Sequence, residues 1–159
     1  MNRVLSSAFL GALLTIGSVA LAAQTAADPV VGTWKLDAAK SSFSAGPALK
    51  SQTRTYSQSD QSITLNMTTV GADGKGTTSQ TTYHLDGKDY PVTGNPDYDS
   101  LSGKKIDTNT SEFTLKRAGK PVGTTRRTVS KDGKTLTATS KVTDAKGEKV
   151  ENRMVFNKQ

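Results

Sequence analysis

Apolar and polar residues alternate along most of the chain after residue 29, with the period of two that is typical of half-buried β-strands. The alternation is clearest over residues 62–70, where Ile63, Leu65 and Met67 share one face and polar side chains share the other. Threonine is frequent in these segments, and its branched Cβ suits a pleated surface. We predict ten short strands, over residues 30–36, 50–57, 62–70, 77–85, 88–93, 100–106, 111–117, 120–129, 134–142 and 148–157.

Turn residues separate these segments, so the strands should follow one another as antiparallel hairpins. Asp86-Gly87 predicts a two-residue type I′ turn, which needs positive φ at both central residues. Pro91 has no N–H to donate to a ladder, which places its strand at an edge or at a barrel rim. Residues 37–41 predict one helical turn with Asp37 as its cap.

A long antiparallel meander curls, and closure removes its exposed edges. We therefore predict an all-β fold, an antiparallel up-and-down meander closed into a barrel of about 8–10 strands. Closure requires the last predicted strand, residues 148–157, to pair with the first, residues 30–36. The only tryptophan, Trp34, lies in that first strand, and we interpret it as a structural plug at one end of the barrel.

The first 22 residues have the pattern of a cleaved signal peptide. Arg3 supplies a short positive segment, residues 4–19 are mostly apolar, and Ala20-Leu21-Ala22 fits a small-x-small cleavage site. A membrane anchor is the alternative, but the apolar segment is short for a span of about 20 residues. We predict a signal peptide over 1–22, a flexible lead-in over 23–29 and a barrel domain over 30–159, located in the periplasm or secreted.

Composition narrows the chemistry open to the chain. None of the 159 residues is cysteine, which excludes thiol catalysis, cysteine-ligated metal and attachment as a lipoprotein. Hydrophobic content is only 33%, so the interior should be small, partly polar or hollow. The net charge of +7 is spread over strands and turns, and aromatic residues are scarce, so we expect no specific nucleic-acid site. We also expect no cofactor, no metal site, no transmembrane segment in the mature chain, and a monomer.

Gly32-Thr33-Trp34, at the start of the first predicted strand, resembles the Gly-x-Trp signature of lipocalins and the wider calycin group. Residues 37–41, 86–96 and 130–137 are similar to stretches of small exported bacterial lipocalin-like proteins. The resemblance implies an up-and-down barrel around a cavity that takes small apolar or amphipathic molecules. The chain departs from true lipocalins because it has no disulfide, no clear C-terminal helix and more than eight predicted strands.

Arg126 and Arg127 are adjacent within a predicted strand, so one of them should point into the barrel. Val122 favours Arg126 as the inward residue and Val129 favours Arg127, and a bulge would reconcile the two. A buried guanidinium is costly without a partner, so it should meet an internal acid, a wet barrel mouth or a bound anion such as a carboxylate. Both arginines are therefore candidates for contact with an anionic ligand.

Tyr56, Tyr83 and Tyr90 are further ligand-binding candidates, because tyrosines that line a cavity offer hydroxyls to a ligand. Packing in the core with the hydroxyl satisfied is the alternative for all three. His84, the only histidine, neighbours inward positions and should face solvent. No Ser-His-acid set is evident and the acids lie mostly in turns, so we predict no catalytic residues.

These observations favour an exported, non-catalytic binding protein that holds a small amphipathic or anionic ligand inside a β-barrel. The alternative is a structural or protein-interaction barrel of the cell envelope, or an inhibitor, with a filled core and no small-molecule ligand. An enzyme on a calycin-like barrel is a third hypothesis, and it requires an internal carboxylate with a raised pKa. A connected internal cavity would favour binding over the filled core.

Overall fold

The computed structural model describes residues 26–45 and 48–159, and the predicted signal peptide lies outside them. Within the described residues one 3-10 turn, η1 (Ala38–Lys40), accompanies the strands, and no helix is long and apolar enough to cross a membrane. The strands are β1 (Gly32–Leu36), β2 (Ser42–Phe43), β3 (Ser51–Ser59), β4 (Ser62–Val70), β5 (Gly76–Tyr83), β6 (Asp86–Thr93), β7 (Ser100–Lys105), β8 (Thr110–Arg117), β9 (Lys120–Val129), β10 (Thr135–Thr143) and β11 (Lys149–Lys158).

β1 and β3 to β11 form a closed antiparallel barrel, in which each strand pairs with its neighbours in chain order. Across this part of the chain the barrel has ten strands, which confirms the predicted fold class. The barrel closes where β1 meets β11, with Trp34 opposite Lys158 and Leu36 opposite Phe156. The predicted pairing of the last strand with the first is therefore confirmed.

The ends of the ten predicted strands differ from the observed ends by no more than two residues. The predicted helical turn is η1, and the Asp37 carboxylate caps it by accepting a hydrogen bond from Lys40 N at 3.2 Å. β2 was not predicted, because two residues are too few to show alternation. β2 pairs with the part of β11 that lies beyond the end of β1, with Phe43 opposite Asn152.

The predicted type I′ turn between β5 and β6 is wrong. Gly87 has φ +79, but Asp86 does not adopt the positive φ that this turn requires. Asp86 instead accepts a hydrogen bond from Lys88 N at 3.0 Å, and the ladder between β5 and β6 is only two residue pairs long. Pro91 lies next to that short ladder, as expected for a residue without an N–H.

The two ends of the barrel differ in what lies beneath their turns. We call the end with the turns at 60–61, 84–85, 106–109 and 130–134 the closed end, and the end with the turns at 71–75, 94–99, 118–119 and 144–148 the open end. Trp34 is fully buried in the half near the closed end, and its Nε1 donates a hydrogen bond to Val30 O at 2.7 Å. The buried apolar side chains that fill this half with it include Val30, Ile63, Val129, Leu136 and Phe156.

The chain just before β1 also contacts the barrel. Asp28 N donates to Gln58 Oε1 at 2.7 Å, and the Asp28 carboxylate lies 2.6 Å from Lys105 Nζ. The same carboxylate accepts a hydrogen bond from Val30 N at 3.0 Å. Asp28 thus fastens the entry to β1 against β3 and β7 at the closed end.

Candidate functional site

A cavity of about 590 Å³ occupies the half of the barrel toward the open end. Its volume falls in the range of roughly 300–1,000 Å³ that is usual for small-molecule sites. The mouth is formed by open-end turns and carries the acids Asp73, Asp97 and Asp144. The apolar part of the wall is formed by inward side chains that include Leu65, Met67, Leu101, Leu115, Val142 and Val150.

A β-bulge decides which of the paired arginines points inward. The register between β8 and β9 shifts after Leu115, and Val122 is the extra residue of β9. Val122 and Val129 therefore both pack against the core, as does Arg127, which is 4% exposed and lines the cavity. Arg126 faces the outside.

Arg127 is held by neutral groups of the barrel. Its Nη1 donates to Tyr83 Oη at 2.6 Å and its Nη2 donates to Ser111 Oγ at 3.3 Å. The guanidinium carbon lies 5.3 Å from the ring centre of Tyr56 and 5.0 Å from that of Phe113, within the reach of cation–π attraction. Burial raises the pKa of Tyr83 to about 12, although Arg127 acts against this shift, so the phenol stays neutral at physiological pH.

Arg126 and Tyr90 lie outside the cavity, unlike the other predicted site residues. Arg126 is exposed and pairs with Glu112 across the outer face, with 2.7 Å between Nη1 and Oε1, because the bulge directs its neighbour inward. Tyr90 lies beyond the end of the short β5–β6 ladder, where its Oη donates to Asp86 Oδ2 at 3.0 Å. Its ring centre is 5.6 Å from that of His84, and it packs against the core cluster without lining the cavity.

Arg54 is a second buried arginine of the cavity, and the sequence reasoning did not single it out. It is 8% exposed, and its guanidinium carbon lies 4.5 Å from the ring centre of Phe156. Nε donates to Gln52 Oε1 at 2.9 Å, and Gln52 is fixed in turn by donating to Thr69 Oγ1 at 2.9 Å. The signal was present in the sequence, because alternation puts Arg54 on the same face as Tyr56, a predicted cavity residue.

Neither buried guanidinium is within ion-pair distance of a carboxylate of the described residues, although the charge of Asp28 acts on Arg127 from farther away. Among the described residues no carboxylate forms an ion pair with Arg54 or Arg127, and residues 1–25, 46 and 47 contain no Asp or Glu. No buried side-chain nitrogen or oxygen in the described part of the chain lacks a hydrogen-bond partner. The nitrogens without a partner in that part of the chain, Arg54 Nη1 and Arg127 Nε, are therefore accessible, and both side chains line the cavity.

The structure thus brings Tyr56, Tyr83 and Arg127 of the predicted set together at one cavity and adds Arg54 and Tyr98 to it. Tyr98 was missed because it follows a loop proline, where strand alternation gives no direction for a side chain. Elsewhere in the described residues, no group of three His, Asp or Glu is arranged to hold a metal ion. His84, whose Nε2 lies 3.1 Å from Ser62 Oγ, does not line the cavity.

Comparison of the sequence with protein-family models and with curated proteins finds no match.

Proposed function

We propose that this protein is an exported, non-catalytic binding protein that holds a small amphipathic anion in the cavity of its barrel. The observation that carries this proposal is the pair of buried guanidiniums, Arg54 and Arg127, that face a cavity of about 590 Å³ without a carboxylate partner. A buried charge is stable only when it is paired or solvated. Water or a ligand must therefore supply the hydrogen-bond acceptors that the protein does not provide to these guanidiniums.

An anion satisfies this site better than water does. Oxyanions accept charge-assisted hydrogen bonds from guanidinium, and these are roughly twice as strong as neutral ones. The half of the barrel beneath the arginines is filled by apolar side chains, so the attraction between these cations and an anion is less screened than at the protein surface. The apolar wall, with Met67, Leu101 and Leu115, suits the hydrocarbon part of the same ligand.

Binding without catalysis is the simplest chemistry for these residues. The cavity lining contains no histidine and no cysteine among the described residues, and its acids Asp73, Asp97 and Asp144 belong to the open-end turns. General acid–base catalysis most often uses a histidine or a carboxylate beside the bound molecule. The cavity in the open half also disfavours the filled-core alternative. Ile106 is the only large hydrophobic side chain exposed on the described surface, so little apolar area is available for contact with a protein partner.

Export and membership of the lipocalin-like group are part of the same proposal. The signal-peptide pattern of residues 1–22 and the Gly-x-Trp motif at Gly32 to Trp34 support them, and the closed up-and-down barrel is the architecture that the group would require.

Native mass spectrometry of the protein, purified without detergent from cells that export it, tests the proposal. We expect a bound molecule of constant mass that is lost from the double variant Arg54→Met/Arg127→Met and retained by Arg126→Met, which removes an exposed arginine of the same strand. Far-UV circular dichroism of each variant checks that the barrel has folded. A wild-type protein that carries no small molecule, and that takes up no anionic amphiphile when offered one, would show the proposed function to be wrong.

A further inference from the structure

Tyr98 belongs to the open-end turn between β6 and β7, yet its side chain reaches back into the barrel. It lines the cavity and packs against the buried core cluster. The turn itself is fixed, because Asn95 Oδ1 accepts a hydrogen bond from Asp97 N at 2.9 Å and Arg117 Nε donates to Asp97 O at 2.7 Å. Arg117 also donates to Asp144 O at 3.1 Å, which ties this turn to the turn after β10.

Among the described residues the hydroxyl of Tyr98 has no hydrogen-bond partner. No side-chain oxygen in this part of the chain is both sealed and without a partner, so Tyr98 Oη is accessible, in a residue that lines the cavity. Burial raises the pKa of Tyr98, and the positive charge of Arg54 is the largest influence in the opposite direction. Tyr98 is therefore a neutral O–H donor that lines the same cavity as the buried cation Arg54.

Arg54 and Arg127 differ in how much of their hydrogen-bonding capacity the barrel uses. Arg127 donates from both terminal nitrogens to protein hydroxyls, and its guanidinium is within cation–π distance of two aromatic rings. Arg54 donates from Nε to Gln52 Oε1, and its Nη2 has only the weak acceptor Met154 Sδ at 3.9 Å. A guanidinium carries five N–H donors, so most of those of Arg54 are available to a molecule in the cavity.

We propose that Arg54 and Tyr98 together form the subsite that contacts the anionic group of the ligand, with Tyr98 closing over it from the mouth of the cavity. This inference rests on the proposed binding function. A carboxylate fits the subsite, because its two oxygens accept from the guanidinium N–H groups while a remaining lone pair accepts from the phenol. The Thr69–Gln52–Arg54 chain of hydrogen bonds holds the guanidinium in place for this contact.

Isothermal titration calorimetry with decanoate, and with decan-1-ol as the uncharged probe of equal chain length, tests the subsite. Arg54→Met should weaken decanoate binding about tenfold or more, as expected for hydrogen bonds to a charged group, and should leave decan-1-ol binding unchanged. Tyr98→Phe, which removes one hydroxyl from a turn, should weaken decanoate binding about three- to tenfold.

The matched controls are Arg126→Met and Tyr90→Phe, which remove an arginine and a phenol hydroxyl that lie outside the cavity lining. Both should bind decanoate as the wild type does. If the wild type binds decanoate and Tyr98→Phe binds it equally well, the subsite is wrong while the binding function stands. If the wild type binds neither probe, both the subsite and the carrier function for this class of ligand are wrong.

Discussion

The two halves of the barrel are built from the same strands but have opposite interiors. Near the closed end, β10 and β11 turn Leu136 and Phe156 inward, and both are fully buried. Near the open end the same two strands turn Ser140 and Asn152 inward, and both line the cavity. The backbone ladder is continuous through this change, so the difference lies only in the side chains at alternate positions.

This division separates the source of stability from the place of binding. Complete burial of a large apolar side chain contributes roughly 1.5–3 kcal/mol, and such side chains are concentrated near the closed end. Some apolar side chains of the cavity wall, such as Leu65 and Val150, are only partly buried, so they contribute less to folding. A ligand can therefore be accommodated in the open half without disturbing the packing that maintains the barrel.

Truncation of Trp34 should have the largest effect on stability. Trp34→Ala leaves a void in the filled half and removes the hydrogen bond to Val30 O, so it should lower the free energy of unfolding by about 3–5 kcal/mol. Val150→Ala, a truncation in the open half, enlarges a cavity that is already present and should cost about 1 kcal/mol or less. Urea unfolding followed by far-UV circular dichroism measures both, because Trp34 is the only tryptophan and its fluorescence is lost in the variant.

Trp34→Phe is the control for volume, since it keeps an aromatic ring but loses the indole N–H. Trp34→Phe should lower the free energy of unfolding by less than Trp34→Ala does. Equal losses of stability from Trp34→Ala and Val150→Ala would mean that the open half is packed in solution, and the contrast between the halves would not hold.

Two of the three cavity tyrosines, Tyr83 and Tyr56, differ in whether their hydroxyl oxygen is used by the protein. Tyr83 Oη accepts a hydrogen bond from Arg127 at 2.6 Å, so Tyr83→Phe leaves a buried charged donor unpaired and should cost about 1.5–3 kcal/mol. Tyr56 forms no hydrogen bond through Oη with a described residue, so Tyr56→Phe should change stability by less than about 0.5 kcal/mol. Chemical denaturation of the two variants side by side makes the comparison, and a reversed order of stability would contradict the assigned contacts.

Strand positions could be predicted from the sequence because each strand has one face toward the interior, and apolar residues at every second position identify that face. The direction of Arg127 could not be predicted, because the single extra residue at Val122 reverses the alternation on either side of it. The resemblance to lipocalins implied a cavity, but the position of the cavity within the barrel could not be predicted. Whether inward side chains meet across a barrel depends on their volumes and on the register of all strands, as the contact of Arg54 with Phe156 of β11 illustrates.

The smallest expected effect concerns Asp37, which fastens the closing seam of the barrel. Its carboxylate accepts hydrogen bonds from Asn157 Nδ2 at 3.1 Å and from Lys40 N at 3.2 Å, and these contacts lower its pKa from 3.8. Because the pKa is lower in the folded state than in the unfolded state, the ionised carboxylate stabilises the fold above pH 3.8, and this contribution is lost as the pH falls through the folded pKa. Asp37→Asn should therefore lower the melting temperature slightly at neutral pH and leave it unchanged at about pH 2. Differential scanning calorimetry of both proteins at the two pH values measures this, and an equal difference at both would show that the charge of Asp37 does not hold the seam.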